Sequence, residues 1–568
     1  MLADSKSLTS LADEYWQALM QNEPVYATSL GDRRYDSRLP DITPQGTAQE
    51  EKQYESFLDR AKQIRPENLS SSDKLTRTAF VFELQAQLDH LRCHLEEWTV
   101  DPLSGPQIEF QNLESYQPIR SAAEGAAMVR RWQAMGRYLD DHITNLRRGL
   151  VTGKVSVHAG VEKVIDETQS LLAKPDREWP LLRPLTIQHT DWTKEERQEF
   201  HDGLTSAVGN QVRPALARYV QFLGSELLPR SRPEEQPGIS HIPGGSESYT
   251  RLIRAHTSLS LTPDLLHDTG LREVERINAE MLALGAKVFG TRSRKEILQS
   301  LRTDPALYFS TRDEVEKKAE QALAKARATI PSWFGRLPKT DCVVVRMGEH
   351  EEENSTIAYY RQPAADGSRP GQYYVNTSHP ETRPRYEVEV LAYHESIPGH
   401  HLQIAIAAEF GGLPAFRKYN GVTAFIEGWG LYAERLADEM GMYSSDLDRI
   451  GVLSYDAWRA CRLVVDTGMH AQEWTRQQAI QYMLENTALA QNNIVNEVDR
   501  YITWPGQALA YKTGQLEILR LREEAKSELR DKFDIREFHD AVLSNGAVPL
   551  GALQELVANY ITEKTSTS

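Results

Sequence analysis

Two histidine positions with a carboxylate directly after the first stand in one short run, Tyr393-His394-Glu395-Ser396-Ile397-Pro398-Gly399-His400-His401-Leu402-Gln403. Imidazole nitrogen is a borderline-soft ligand for zinc, and an adjacent carboxylate can act as base for water activated by the metal. The run therefore reads as a hydrolytic metal site, with Glu395 as the base.

The spacing predicts a distorted helix. In the common His-Glu-x-x-His arrangement the histidines are four apart and share one helical face. His394 and His400 are six apart, which on a regular helix turns them away from each other. Pro398 would also lack a donor and collide with the His394 carbonyl. A bulge over Ser396 to Gly399 would loop out two residues and return His400 to the face of His394. His401 is the alternative second ligand. Its i+7 position restores the rotation, but a rise of roughly 10.5 Å stretches two imidazoles nearly to their limit around one ion, so His400 is favoured. The helix is expected to begin at Pro384, run through 386–410 and stop at Gly411-Gly412.

A catalytic zinc usually takes three protein ligands and keeps one position open. The third is expected from Glu427 in Thr423-Ala-Phe-Ile-Glu-Gly-Trp-Gly-Leu-Tyr-Ala-Glu434, a helix that Thr423 can cap. Gly428 and Gly430 remove side chains beside the acid, as close approach of another helix or a substrate requires. Glu434, two turns later on the same face, can orient a ligand histidine or sit as a solvated surface carboxylate.

These motifs, with Pro505-Gly-Gln-Ala-Leu-Ala-Tyr-Lys-Thr-Gly514, resemble the bacterial domain of unknown function family 885. That family is similar in turn to helical zinc peptidases, thimet oligopeptidase and the thermostable carboxypeptidases among them. Those enzymes carry His-Glu-x-x-His, a later glutamate ligand and a downstream tyrosine near glycine. Glu427 lies 27 residues after His400, in register with that pattern, whereas the first motif is two residues longer. Weaker blocks, Pro24, Gly31, Arg38 to Asp41 and Leu261 to Gly270, extend the resemblance over most of the chain. It implies a mainly α, two-lobed zinc metallopeptidase-like fold with a deep cleft and a small β-sheet. It further implies zinc held by His394, His400 and Glu427, and short peptides as substrates.

By the same motif match Tyr511 is the first choice to donate to a tetrahedral oxyanion, against the alternative of a packing residue. His470 is the second choice. It follows Arg462 and Asp466 at four-residue spacing on one helix face, either as an internal ladder or as a polar strip along a channel. Arg500 could anchor a peptide carboxylate in a bidentate manner, or form an ordinary salt bridge.

The elements that must position these residues are mostly helical. Thr311 to Ile330 is one sample, with a capping box at Thr311 and Glu314 and apolar residues at 315, 319, 322, 323, 326 and 330. Proline, glycine and charge gather at 229–245, a linker that divides an N-terminal helical lobe, 1–235, from a catalytic portion, 236–568. The two could also form one continuous fold. Between 341 and 377 the pattern turns β-rich, in Cys342 to Arg346, Thr356 to Tyr360 and Gln372 to Asn376. In the peptidases such a sheet supplies an edge strand for extended substrate. The last run, carrying Tyr374 and Asn376, is nearest the metal motif and takes that role by analogy, with a purely structural sheet as the alternative.

The chain has 568 residues, 40% of them hydrophobic, and a net charge of -16. That charge disfavours nucleic-acid binding, and no apolar run approaches the roughly 18 residues of a membrane span. Three scattered cysteines and the lack of a visible secretory signal fit a reducing cytoplasm. The resulting expectation is a Zn2+-dependent hydrolase of short peptides, trimming an end or cutting internally, with no oligomeric state assigned. Amide hydrolysis on a specialised small molecule would use the same parts. A non-catalytic zinc-stabilised peptide-binding scaffold is a further alternative. A di-iron oxidase would need paired Glu-x-x-His motifs in place of His-Glu.

Overall fold

The computed structural model describes residues 2–348, 352, 357–363, 369–419 and 421–566. Helices dominate, and none among the described residues is long and apolar enough to cross a membrane. Helix α1 (Ala122–Thr152) shows how the N-terminal region is built. Ser121 caps it by accepting from Glu124 N at 3.3 Å, and its buried Met128, Trp132, Met135, Leu139, Ile143 and Leu146 recur at helical spacing. They belong to an apolar cluster running from Val100 to Leu227. A second cluster, from Leu8 to Leu88, also takes in Phe416.

The 229–245 segment is a packed connector. Arg232 N donates to Ser156 O and His158 N to Arg232 O, both at 2.8 Å, while the Arg232 guanidinium donates to the Val155 and Gln236 carbonyls. Gly238 lies so close to the Met469 carbonyl that no side chain fits there. Proline and glycine give this stretch its shape, and backbone pairing then holds it.

The chain continues through α2 (Gly245–Thr257), α3 (Pro263–Phe289) and α4 (Arg312–Thr329). In α4 the predicted stripe is the buried one. Thr311 caps Glu314 N, and Glu314 reaches back to Ser310 N, one residue earlier than a capping box requires.

Strands β1 (Cys342–Arg346), β2 (Ala358–Arg361) and β3 (Gly371–Val375) form a sheet in the order β1-β3-β2. This corrects the edge assignment for 372–376. β3 is central, parallel to β1 and antiparallel to β2, so its backbone donors and acceptors are already engaged on both sides. The reason is burial. Tyr373 and Val375 pack in the same cluster as Val388 and Leu391 of the next helix, and this apolar face draws β3 to the middle. Thr356, in the expected second strand, lies outside the described residues.

Next come α5 (Val388–Glu395), α6 (His400–Ala408), α7 (Thr423–Glu439), α8 (Asp446–Ala471), α9 (Gln491–Thr503) and α10 (Leu509–Leu529). α7 and α10 touch backbone to backbone. A Cβ on Gly428 would lie 2.5 Å from Gly514 Cα, and one on Gly514 would overlap the Ala424 carbonyl. The buried Lys512 ammonium donates to Asp456 at 2.7 Å and lies 3.0 Å from Glu273. Arg435 bonds the same Asp456 at 2.5 Å and Glu280 at 2.7 Å. These pairs lock α3, α7, α8 and α10 together, and removing one partner of such a buried set costs about 3–5 kcal/mol.

Candidate metal centre

Helix α5 stops at Glu395, and the expected bulge is instead a break between two helices. Ser396 leaves helical geometry (φ -107°, ψ -106°), and Gly399 crosses so near the His394 carbonyl that a Cβ would overlap it. α6 then starts at His400, so the single helix expected over 386–410 is divided. Two short helices meeting at a proline–glycine turn bring the imidazoles together without stretching one hydrogen-bond ladder. The turn is tied down from α7, where Trp429 Nε1 donates to Pro398 O at 2.9 Å.

The His394 and His400 rings lie 4.6 Å apart between centroids and nearly perpendicular, at 83°. Glu427 Oε2 is 3.6 Å from His394 Nε2 and 3.7 Å from His400 Nε2. These three residues offer donor atoms within 4.8 Å of one another, a group that could hold a metal ion. Thr423 is the first residue of α7 rather than its cap, which is Val422 without a side-chain bond.

One face of α7 cradles the first imidazole. Glu427, Gly430 and Glu434 follow each other at i, i+3 and i+7. A Cβ on Gly430 would sit 2.6 Å from His394 Cε1, so the ring lies directly against the helix. Its Nδ1 is 2.8 Å from Glu434 Oε1, and Glu434 is only 1% exposed, not a surface carboxylate.

The electrostatics of the cluster favour positive charge at its centre. Burial alone would lower His394, but hydrogen bonds to Glu427 and Glu434, with the charges of Glu434 and Glu395, push it up to about 10. Burial and the neighbouring His394 hold His400 down at about 4. Glu427 resists burial and falls to about 2, because His394, His400 and Arg462 face it. Burial raises Glu395 to about 7, reinforced by Glu427 and Glu434 and opposed by His394 and Arg459.

His401 is not brought to this cluster. Its Nδ1 is 3.0 Å from the Tyr360 hydroxyl and its Nε2 is 3.0 Å from Thr340 O, so it faces the sheet with both nitrogens engaged. Among the described residues a second group, His94, Glu96 and Glu97, also brings donors close. Glu97 is committed to Lys154 and Arg148 at 2.7 and 2.9 Å, and His94 is 42% exposed.

Tyr511 joins the centre from α10. Burial raises its hydroxyl, Glu427 adds to that, and Arg462 and Arg500 oppose it. The Arg462 guanidinium lies 4.4 Å from its ring centroid. His470 is not at the centre. Ile239 N donates to its Nδ1 at 3.0 Å, and its Nε2 donates to Tyr501 O at 2.9 Å, which makes it a backbone clasp. Arg462, Asp466 and His470 form no ladder, since Arg462 pairs with Glu497 and Asp466 accepts from Tyr249. Arg500 donates to Glu497 and Gln507, both at 3.0 Å.

Tyr374 stacks on Tyr359 at 4.7 Å on the less buried sheet face. Asn376 is buried and donates to Glu352 O at 2.8 Å, so neither takes the substrate-pairing role expected of an edge strand. Sequence reasoning missed Arg459. Its Nη2 lies 4.0 Å from Glu434 Oε1, and its guanidinium stacks on Trp458 at 4.2 Å. Two arginines one turn apart, set among Trp458, Ala460, Cys461 and Leu463 of α8, were the signal that could have found it.

A sequence model of the family described as "Bacterial protein of unknown function (DUF885)" matches residues 24–557. Among solved structures, one described as a "putative lipoprotein" from Colwellia psychrerythraea is similar over 99% of this chain and 99% of that one, with a TM-score of 0.89 and 28% identity. Another, described as a "putative lipoprotein of unknown function" from Shewanella oneidensis, covers 97% and 99% with a TM-score of 0.76. At 18% identity the second is a likeness of fold alone. The comparison with curated proteins gave no match.

Proposed function

The chain belongs to the bacterial DUF885 family of unknown function, and from the centre it carries we propose that it is a zinc-dependent hydrolase of amide bonds in short peptides. The observation that carries this reading is the convergence of His394, His400 and Glu427, with Glu434 behind His394 and Glu395 beside it. Ligand atoms about 2.0–2.2 Å from a tetrahedral zinc stand roughly 3.3–3.5 Å apart. The 3.6 and 3.7 Å separations fit that need closely. Two imidazoles and one carboxylate are also the donor set of known catalytic zinc sites.

When bound, zinc would supply a Lewis acid that makes water acidic and polarises a carbonyl. The chain's own residues do the rest. Glu395, directly after His394 in the chain, accepts a proton from the attacking water and passes it to the amine as the carbon–nitrogen bond breaks. Tyr511, raised by burial, keeps its proton and donates a hydrogen bond to the oxyanion. Glu434 holds the His394 tautomer so that Nε2 faces the centre.

The decisive experiment compares wild type with Glu395→Gln. Both should hold about one zinc per chain and bind the same peptides, and only the wild type should hydrolyse them. Near-normal turnover in Glu395→Gln, or a wild type that takes up no zinc, would discard this reading.

A further inference from the structure

Arg462 and Arg500 flank Tyr511, and each keeps one buried N–H group without an acceptor among the described residues. Glu497 Oε2 accepts from Arg462 Nη2 and Arg500 Nη2, each at 3.0 Å, and from Tyr501 Oη at 2.6 Å. Two guanidinium cations thus share one hydrogen-bonded carboxylate, while Glu427 faces Arg462 without a hydrogen bond to it. Arg462 Nε donates to Tyr501 Oη at 2.9 Å, and Arg500 Nη1 donates to Gln507 at 3.0 Å. Arg462 Nη1 and Arg500 Nε are buried with no hydrogen-bond partner among the described residues.

Such groups are costly. A buried charged donor without an acceptor forfeits its hydration and gains nothing in return. The Arg462 and Arg500 side chains are 4% and 13% exposed, and Glu497 between them is 20% exposed. The cluster also borders the metal centre, since the Arg462 guanidinium packs on the ring of Tyr511. A single carboxylate suits these donors, because it is anionic and its two oxygens can take two N–H groups.

We propose that Arg462 and Arg500 bind the free C-terminal carboxylate of the substrate, so that the enzyme acts on short peptides close to that end. This rests on the hydrolase reading above and narrows its substrate class. The residue that donates to the oxyanion, Tyr511, then lies between the scissile bond and the anchored terminus. Peptides blocked as carboxamides lose the charge that the guanidiniums require.

The test is calorimetric binding of a panel of N-acetylated di- and tripeptides, each as free acid and as carboxamide, to zinc-loaded Glu395→Gln protein. The free acids should bind at least about tenfold more tightly, and adding Arg500→Gln or Arg462→Gln should reduce the preference below about threefold. Should the deeply buried Arg462 variant fail to fold, Arg500→Gln, with its melting temperature measured, decides the matter. Equal binding of acid and amide, binding of neither, or an undiminished preference in Arg500→Gln overturns the inference. Hydrolysis by the wild type is read separately. Acid-selective binding without hydrolysis sinks the hydrolase reading alone, whereas equal hydrolysis of acids and amides sinks only the carboxylate site.

Discussion

Nδ1 of His394 lies 2.8 Å from Oε1 of Glu434, two turns beyond Glu427 on the same helix. One helix face thus presents a carboxylate to each nitrogen of a single imidazole. Partners of this kind fix the ligand's tautomer and raise its basicity. Glu434→Gln should therefore weaken zinc binding by about 10- to 100-fold while the protein stays folded. Titration against a chromogenic chelator reads this directly, and an unchanged affinity would show that Glu434 does not tune the centre.

His400 and His401 should part company in metal content. His400→Ala removes a donor 3.7 Å from Glu427 and should abolish stoichiometric zinc. His401→Ala should keep the metal and lose about 1–3 kcal/mol of stability, because Thr340 O and the Tyr360 hydroxyl lose their partner. Elemental analysis with urea denaturation separates the two, and the opposite pattern would move the ligand role to His401.

Gly430→Ala and Gly428→Ala differ in what they strike. The first puts a methyl 2.6 Å from His394 Cε1, the second 2.5 Å from the Gly514 backbone. Gly430→Ala should cost zinc affinity more than folding stability, and Gly428→Ala should cost stability by about 1–3 kcal/mol or more. Equal losses in both properties for both variants would contradict this division.

Tyr511→Phe should lower kcat by roughly two to three orders of magnitude, with zinc content, peptide binding and fold intact. Steady-state kinetics beside a melting curve decide it. A lowered melting temperature with nearly normal kcat would reassign Tyr511 to packing.

Asp466 sets a pH dependence of stability away from the centre. Burial raises it to about 7, against the hydrogen bonds from Tyr249 and Gly506. An unfolded aspartate titrates near about 3.9, so between these values the folded protein binds the extra proton. Stability from this group is fully present below pH about 4 and is lost as pH rises through about 7. Relative to Asp466→Asn, the wild type should lose on the order of 1–4 kcal/mol across that window and then stay level. Urea unfolding at several pH values measures it, and parallel profiles would refute the assignment.

Much of the centre is legible in the residues themselves. Ligand chemistry resides in residue type, so His394, Glu395 and Glu427 announce themselves, and the period of a helix is enough to put Glu427, Gly430 and Glu434 on one face. The amphipathic stripe of α4 and the β-rich runs before the metal motif follow from the same local periodicities.

Other features were decided by contacts between segments distant in the chain. Local sequence calls for distortion at Pro398, but a bulge and a break both satisfy it. The break is held by Trp429 from another helix. His470 has the chemistry of a catalyst, yet the 239 and 501 backbones use both its nitrogens. Strand order followed the apolar face that α5 covers, not the order of the runs. The pair of guanidiniums beside Tyr511 exists only because α8 and α9 bring Arg462 and Arg500 to one carboxylate. Residue type and period are properties of neighbours in sequence, whereas hydrogen-bond satisfaction and charge balance belong to the whole packed interior, and only the tertiary structure assigns those partners.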